Sequence, residues 1–207
     1  MLPPEEYLKN PCRSLSMPYR KALLLPQRHD IFILHDEEYD PMAFNGYKDE
    51  RYFRLLHCLD LIPHPILPKG FTLEIAGLRH IEALSKQINR CYDDISISQE
   101  RLLNLINSSC YCESLWLMLI QNGHIAASVI GEVDYTLKEG TLEWVQVSAE
   151  YRRIGLGRFL VCQALENMLP YCDFATVSGK TDSISHPEAL YRSCGFDGSD
   201  LWHILHK

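Results

Sequence analysis

Three arginines and two glycines fall within the seven residues Arg152-Arg153-Ile154-Gly155-Leu156-Gly157-Arg158. Before them, Leu142 to Val147, with Glu143, Val145 and Gln146, reads as a strand. After them, Phe159 to Met168 recurs at helical spacing. A helix start presents unpaired N–H groups and the positive end of the helix dipole, so it attracts an anion. Gly155 and Gly157 let the backbone approach that anion with no Cβ in the way. Arg152, Arg153 and Arg158 bring forked donors suited to phosphate. The pattern therefore describes a phosphate or pyrophosphate cradle between a strand and a helix, with Ile154 and Leu156 inside it. The loop lacks Gly-x-Gly-x-x-Gly and does not follow a first strand, which argues against a dinucleotide oxidoreductase.

A second chemical signal lies in Ala189-Leu190-Tyr191-Arg192-Ser193-Cys194-Gly195-Phe196. Gly195 suits the position just past a helix end, and Phe196 anchors the segment that follows. Arg152-x-x-Gly155-x-Gly157 and Tyr191-x-x-x-Gly195-Phe196 together resemble the GNAT superfamily of acyl-CoA-dependent N-acyltransferases. The resemblance implies acetyl-CoA as co-substrate, held at Val145–Val147 and Arg152–Arg158, with direct transfer to an amine in a ternary complex. It implies that backbone N–H groups near Val145–Val147 hold the thioester oxygen, and that Tyr191 protonates the departing thiolate. Glu143 is the favoured base. Alternation puts it on the face of Val145 and Val147, ahead of Glu132 and Asp134 on a neighbouring strand. The rival from another class is a non-catalytic acyl-CoA-binding sensor.

These residues need a frame to hold them. From Gly70 onward the chain reads strand, helix, helix, three strands, helix, strand, helix, strand. Phe71–Ile75 alternates, and Leu78, Ile81, Leu84, Ile88 and Cys91 recur at helical spacing. Ser96–Gln99 offers a capping box for a helix at Arg101–Ile106. Asn122-Gly123 joins two apolar runs as a hairpin turn. That order matches the family's α/β fold, a mixed central sheet flanked by helices. The resemblance further implies that two parallel strands of this sheet splay apart to admit acyl-CoA from one side and acceptor from the other. The expected organisation is an extension over 1–69 packed on an acyltransferase domain over 70–207. The extension holds nine of the eleven prolines, which suits short strands and turns. Lys21–Leu25 and Ile31–Leu34 read as strands, and Tyr52–Leu59 as either strand or helix.

A net charge of −7 disfavours a general nucleic-acid-binding face and suits a cationic amine acceptor, small molecule or peptide. No apolar run approaches membrane-spanning length. The opening Met1-Leu2-Pro3-Pro4-Glu5-Glu6 is unlike a signal peptide, so a cytoplasmic location is expected. The eight cysteines and nine histidines show no metal-ligand spacing, and buried free thiols are expected. Oligomeric state stays open, with a homodimer among the partners considered.

Overall fold

The computed structural model describes residues 2–24, 30–92 and 96–207. Its elements run α1 (Pro4–Tyr7), α2 (Pro11–Ser14), α3 (Tyr19–Leu24), β1 (Ile31–His35), β2 (Lys48–His57), β3 (Thr72–Ile75), α4 (Ile81–Cys91), α5 (Gln99–Ile106), β4 (Tyr111–Gln121), β5 (His124–Asp134), β6 (Glu139–Val147), α6 (Leu156–Met168), β7 (Phe174–Lys180), α7 (Pro187–Ser193) and β8 (Asp197–His206). The fold is α/β, with eight strands in a mixed sheet and flanking helices. The chain divides into two compact units, Leu59–Ala175 and Met1–Cys58 with Thr176–Lys207.

In Leu59–Ala175, β3 to β6 lie in sequence order and pair antiparallel. The Asn122-Gly123 hairpin forms as its sequence dictates, with both residues at positive φ (51° and 77°). Ile81, Leu84 and Ile88 of α4 and Leu102 of α5 bury against Trp116, Met118 and Ile130 of the sheet. The α5 N-cap is Ser98, whose side chain accepts from the Arg101 N–H. The helix is thus capped by Ser98, within the Ser96–Gln99 stretch expected to form a box, and Arg101 rather than an acid or amide stands at its third position. Gly140 has no substitute in this packing, because an added Cβ would lie 2.5 Å from the Met168 sulfur of α6.

In the other unit the strand order is β1-β8-β2-β7. Of the Tyr52–Leu59 run, Tyr52 to His57 forms strand as part of β2, and Cys58 and Leu59 follow it. Lys21–Leu24 is helical, part of α3, rather than the strand that its apolar run suggests; Leu25 lies outside the described residues. The prolines start helices here as well as ending segments. Pro4 and Pro11 occupy the first turns of α1 and α2, where a missing N–H costs nothing. The unit's core is aromatic as well as aliphatic: Tyr7 packs on Tyr19, and Phe53 on Tyr191.

Candidate functional site

Simple alternation fails within β6. Trp144 pairs with Ile130 and Leu142 with the adjacent Gly131, so Glu143 is one residue in excess of its partner strand. Such a bulge bends the strand and increases its twist. Leu142 and Trp144 consequently face opposite sides. The alternation that put Glu143 on the face of Val145 and Val147 is interrupted at Glu143 itself. Gly131 stands opposite this point because a Cβ there would meet the Leu115 Cβ at 3.1 Å and the Thr141 carbonyl at 3.2 Å.

Beyond the bulge the ladder fixes which backbone groups point outward. Ser148 N–H donates to the Ala126 carbonyl at 2.9 Å, continuing the register of Val147 with Ala127 and Gln146 with Ser128. Hydrogen-bonded and non-hydrogen-bonded pairs alternate in an antiparallel ladder. Gln146 therefore spends its backbone groups on β5, while Val145 and Val147 direct theirs away from it. Two side chains occupy the outward carbonyls. Tyr92 Oη donates to Val145 O at 3.1 Å, and Arg152 Nε to Val147 O at 3.1 Å. The outward N–H groups of Val145 and Val147 share that edge.

The chain then makes one short turn, Ala149–Tyr151, and enters α6. Gly155 is the N-cap at φ 92°, a left-handed conformation that favours glycine. Arg153 is also left-handed, at φ 66°. Among the described residues no side chain caps α6, so its first-turn N–H groups form an anion-attracting end. Leu156 and Gly157 are buried against the sheet side of this turn, whereas Arg152, Arg153 and Ile154 are exposed. The loop thus presents charge outward from a fixed backbone. The Cys91 thiol at the end of α4 is pushed up by burial, against the opposing pull of the Arg152 charge.

A polar cluster that local sequence spacing does not reveal lies beneath the same strand. Gln146 is 3% exposed, Gln87 of α4 is 5% exposed and Ser128 of β5 is fully buried. Ser128 Oγ donates to Gln87 Oε1 at 2.6 Å, and Gln146 Nε2 donates to Gln87 Oε1 at 3.4 Å and to Ser128 Oγ. Among the described residues, Gln87 Nε2 and Gln146 Oε1 have no partner. An unsatisfied buried polar group of this kind costs about 1–3 kcal/mol.

Tyr191 sits on α7 in the other unit, 7% exposed, with ring centroids 5.8 Å from Phe196 and 6.2 Å from Phe53. Its carbonyl accepts from Cys194 and Phe196, and Gly195 takes φ 99° to end the helix.

Among the described residues no group of three or more His, Cys, Asp or Glu is placed to hold a metal ion. No described helix is long and apolar enough to cross a membrane. Six of the eight thiols are buried.

Known structures share this fold. A GCN5-related N-acetyltransferase from Sphaerobacter thermophilus matches at TM-score 0.70 and 18% identity, over 91% of this chain and 63% of that one. The present chain thus spans less than two-thirds of that relative's length. A GCN5-related N-acetyltransferase from Kribbella flavida matches at TM-score 0.60 and 18% identity, over 100% and 77%. The ribosomal-protein-S18-alanine N-acetyltransferase of Escherichia coli matches at TM-score 0.52 and 22% identity, over 65% and 91%. No curated protein matches the sequence. The model of the acetyltransferase (GNAT) family matches residues 81–196, and the chain belongs to that family.

Proposed function

We propose that the protein is an N-acetyltransferase that moves an acetyl group from acetyl-CoA directly to an amine in a ternary complex. One observation carries this reading: an outward main-chain edge at Val145 and Val147 leads, through one turn, into an uncapped helix start at Gly155–Gly157. The spacing suits a ligand with a thioester at one end and a pyrophosphate at the other. The α6 N–H groups and Arg152, Arg153 and Arg158 receive the pyrophosphate, with Ile154 and Leu156 shaping the turn. The Val145 and Val147 N–H groups polarise the thioester carbonyl. The amine nitrogen attacks that carbon, the C–S bond breaks, and the thiolate takes a proton from Tyr191. Glu143, directly or through water, accepts the proton that the amine gives up. Residues 1–69 are proposed to act as an extension to an acyltransferase domain over 70–207. The acceptor is a small-molecule or peptide amine.

The test is a thermal-shift titration with acetyl-CoA, followed by thiol detection of released CoA across a panel of amines. At about 100 times the dissociation constant, donor binding should stabilise the fold by about 2.7 kcal/mol. Gly157→Asp puts a carboxylate and a side chain where the pyrophosphate lies and should abolish the shift. An unchanged shift in that variant places the donor elsewhere. Binding without CoA release from any amine would make the protein a sensor.

A further inference from the structure

The polar cluster under β6 holds more hydrogen-bonding capacity than its own members use. Its three members come from three elements, and all are more than nine-tenths buried. Their mutual hydrogen bonds use one end of each glutamine amide, while Gln87 Nε2 and Gln146 Oε1 are left over. Inverting both amides together gives an equally consistent network, in which Gln87 donates to Ser128 and Ser128 to Gln146. Inverting only one would set two carbonyls, or two amino groups, against each other. In either consistent form the leftover pair is one donor and one acceptor.

The location gives that pair a use. Gln146 is flanked on the chain by Val145 and Val147, the two residues whose backbone groups point outward from β5. Its side chain lies on the α4 side of the strand, where it meets Gln87. The half-buried Trp144, two residues away, shares that side and stacks edge-on with Tyr92 at 6.1 Å. Tyr92 in turn holds the Val145 carbonyl. The cluster is uncharged, so it suits a neutral group rather than a phosphate or carboxylate.

We propose that Gln87 and Gln146 form an acceptor subsite that reads one amide group beside the amine to be acetylated. This rests on the acetyltransfer reading above and narrows its substrate class to amines that carry a neighbouring amide. An amide supplies one N–H and one C=O, the complement of the leftover pair. A plain alkylamine of equal size leaves both buried groups unsatisfied. Sites built to hydrogen-bond a substrate discriminate strongly against analogues that lack the group.

The probes are glycinamide and propylamine, with acetyl-CoA and detection of released thiol. On the full chain, kcat/KM for glycinamide should exceed that for propylamine by about tenfold or more. In Gln87→Met, which keeps length and volume, the ratio should fall toward one, through KM more than kcat. A ratio near one in the unaltered protein, or one that survives in Gln87→Met, overturns the proposal. A second measurement decides it without turnover or a variant. In protein labelled with ¹⁵N-glutamine and saturated with CoA, glycinamide should move two side-chain amide signals that propylamine leaves in place. If neither signal moves, only water fills the pair and the proposal fails. Failure to bind acetyl-CoA, by contrast, defeats the acetyltransfer reading while the glycinamide signals still report on the subsite.

Discussion

Two buried polar clusters, one in each unit, are satisfied to different degrees. In the unit that includes β8, His203 is 3% exposed and bonds at both ring nitrogens, to Asp49 at 3.0 Å and to Asp36 at 3.1 Å. Its ring also stacks on Tyr39 at 3.9 Å and 17°. His35 nearby accepts from the Glu37 N–H and meets Asp200 at 3.1 Å. Every ring nitrogen in this pair of histidines is used. In the Leu59–Ala175 unit, Gln87 and Gln146 are buried as deeply, yet each leaves one amide atom unused. A closed network holds a turn on a sheet. An open one keeps hydrogen-bonding capacity that its own members do not use, at a cost in stability.

The sharpest way to break this contrast is Tyr191→Phe. The tyrosine belongs to the unit of the His203 network, and its ring packing against Phe53 and Phe196 survives the change. Stability should hold to within about 1 kcal/mol, while turnover falls by roughly 10²–10⁴, the range for loss of a general acid. Turnover within a factor of two of the unaltered protein would make Tyr191 a packing residue and leave the contrast intact.

Next in size is His203→Leu, which removes the shared partner of two carboxylates. Breaking a fully buried pair costs about 3–5 kcal/mol. Asp36 is 57% exposed, so the expected loss is smaller, about 2 kcal/mol. It should appear as a lower urea midpoint at unchanged slope, with the acetyl-CoA thermal shift preserved. A preserved midpoint would mean that the closed network does not hold the turn after β1.

Legibility followed the range of the interaction. Asn122-Gly123 and Arg152–Arg158 announce themselves because a turn or a helix start is decided by adjacent residues. Every element expected from Gly70 onward is present in its expected order for the same reason. Lys21–Leu24 was misleading because a short apolar run fits either period. The useful clue was Pro18 just before it, whose carbonyl accepts from Lys21 and Ala22. The bulge at Glu143 belongs to the pairing of β6 with β5, so no reading of β6 alone reveals it. Gln87, Ser128 and Gln146 come from three elements, and only the fold brings them together.

A smaller effect comes from Glu50 of β2. Its carboxyl is held below the ordinary range chiefly by the Lys48 hydrogen bond, with help from the Lys180 and His206 charges. A depressed carboxylate contributes stability above its ordinary value of 4.5. That contribution is lost as pH falls from there through the lower folded-state value. Glu50→Gln should therefore leave acid stability unchanged and remove a modest increment at neutral pH, under about 1 kcal/mol for so exposed a set of partners. Identical pH profiles for the two proteins would show that the pair contributes nothing.

The smallest expected change is the most discriminating. Replacing the open cluster as a set, with Gln87→Leu, Ser128→Ala and Gln146→Leu together, removes its internal hydrogen bonds and also its two unsatisfied atoms. Exchanging all partners of a polar group for apolar ones of similar shape is close to neutral, unlike removal of one partner. The neighbours Ile130, Met118 and Trp144 are apolar and can accept the leucines. Stability should stay within about 1 kcal/mol, and any preference for an amide-bearing acceptor should vanish. The single change Ser128→Ala should cost more than the triple one, because it strips a partner from each glutamine while both stay buried. A triple variant that loses more than the single one would show that the cluster is a structural network like that of His203, and the difference between the two clusters would disappear.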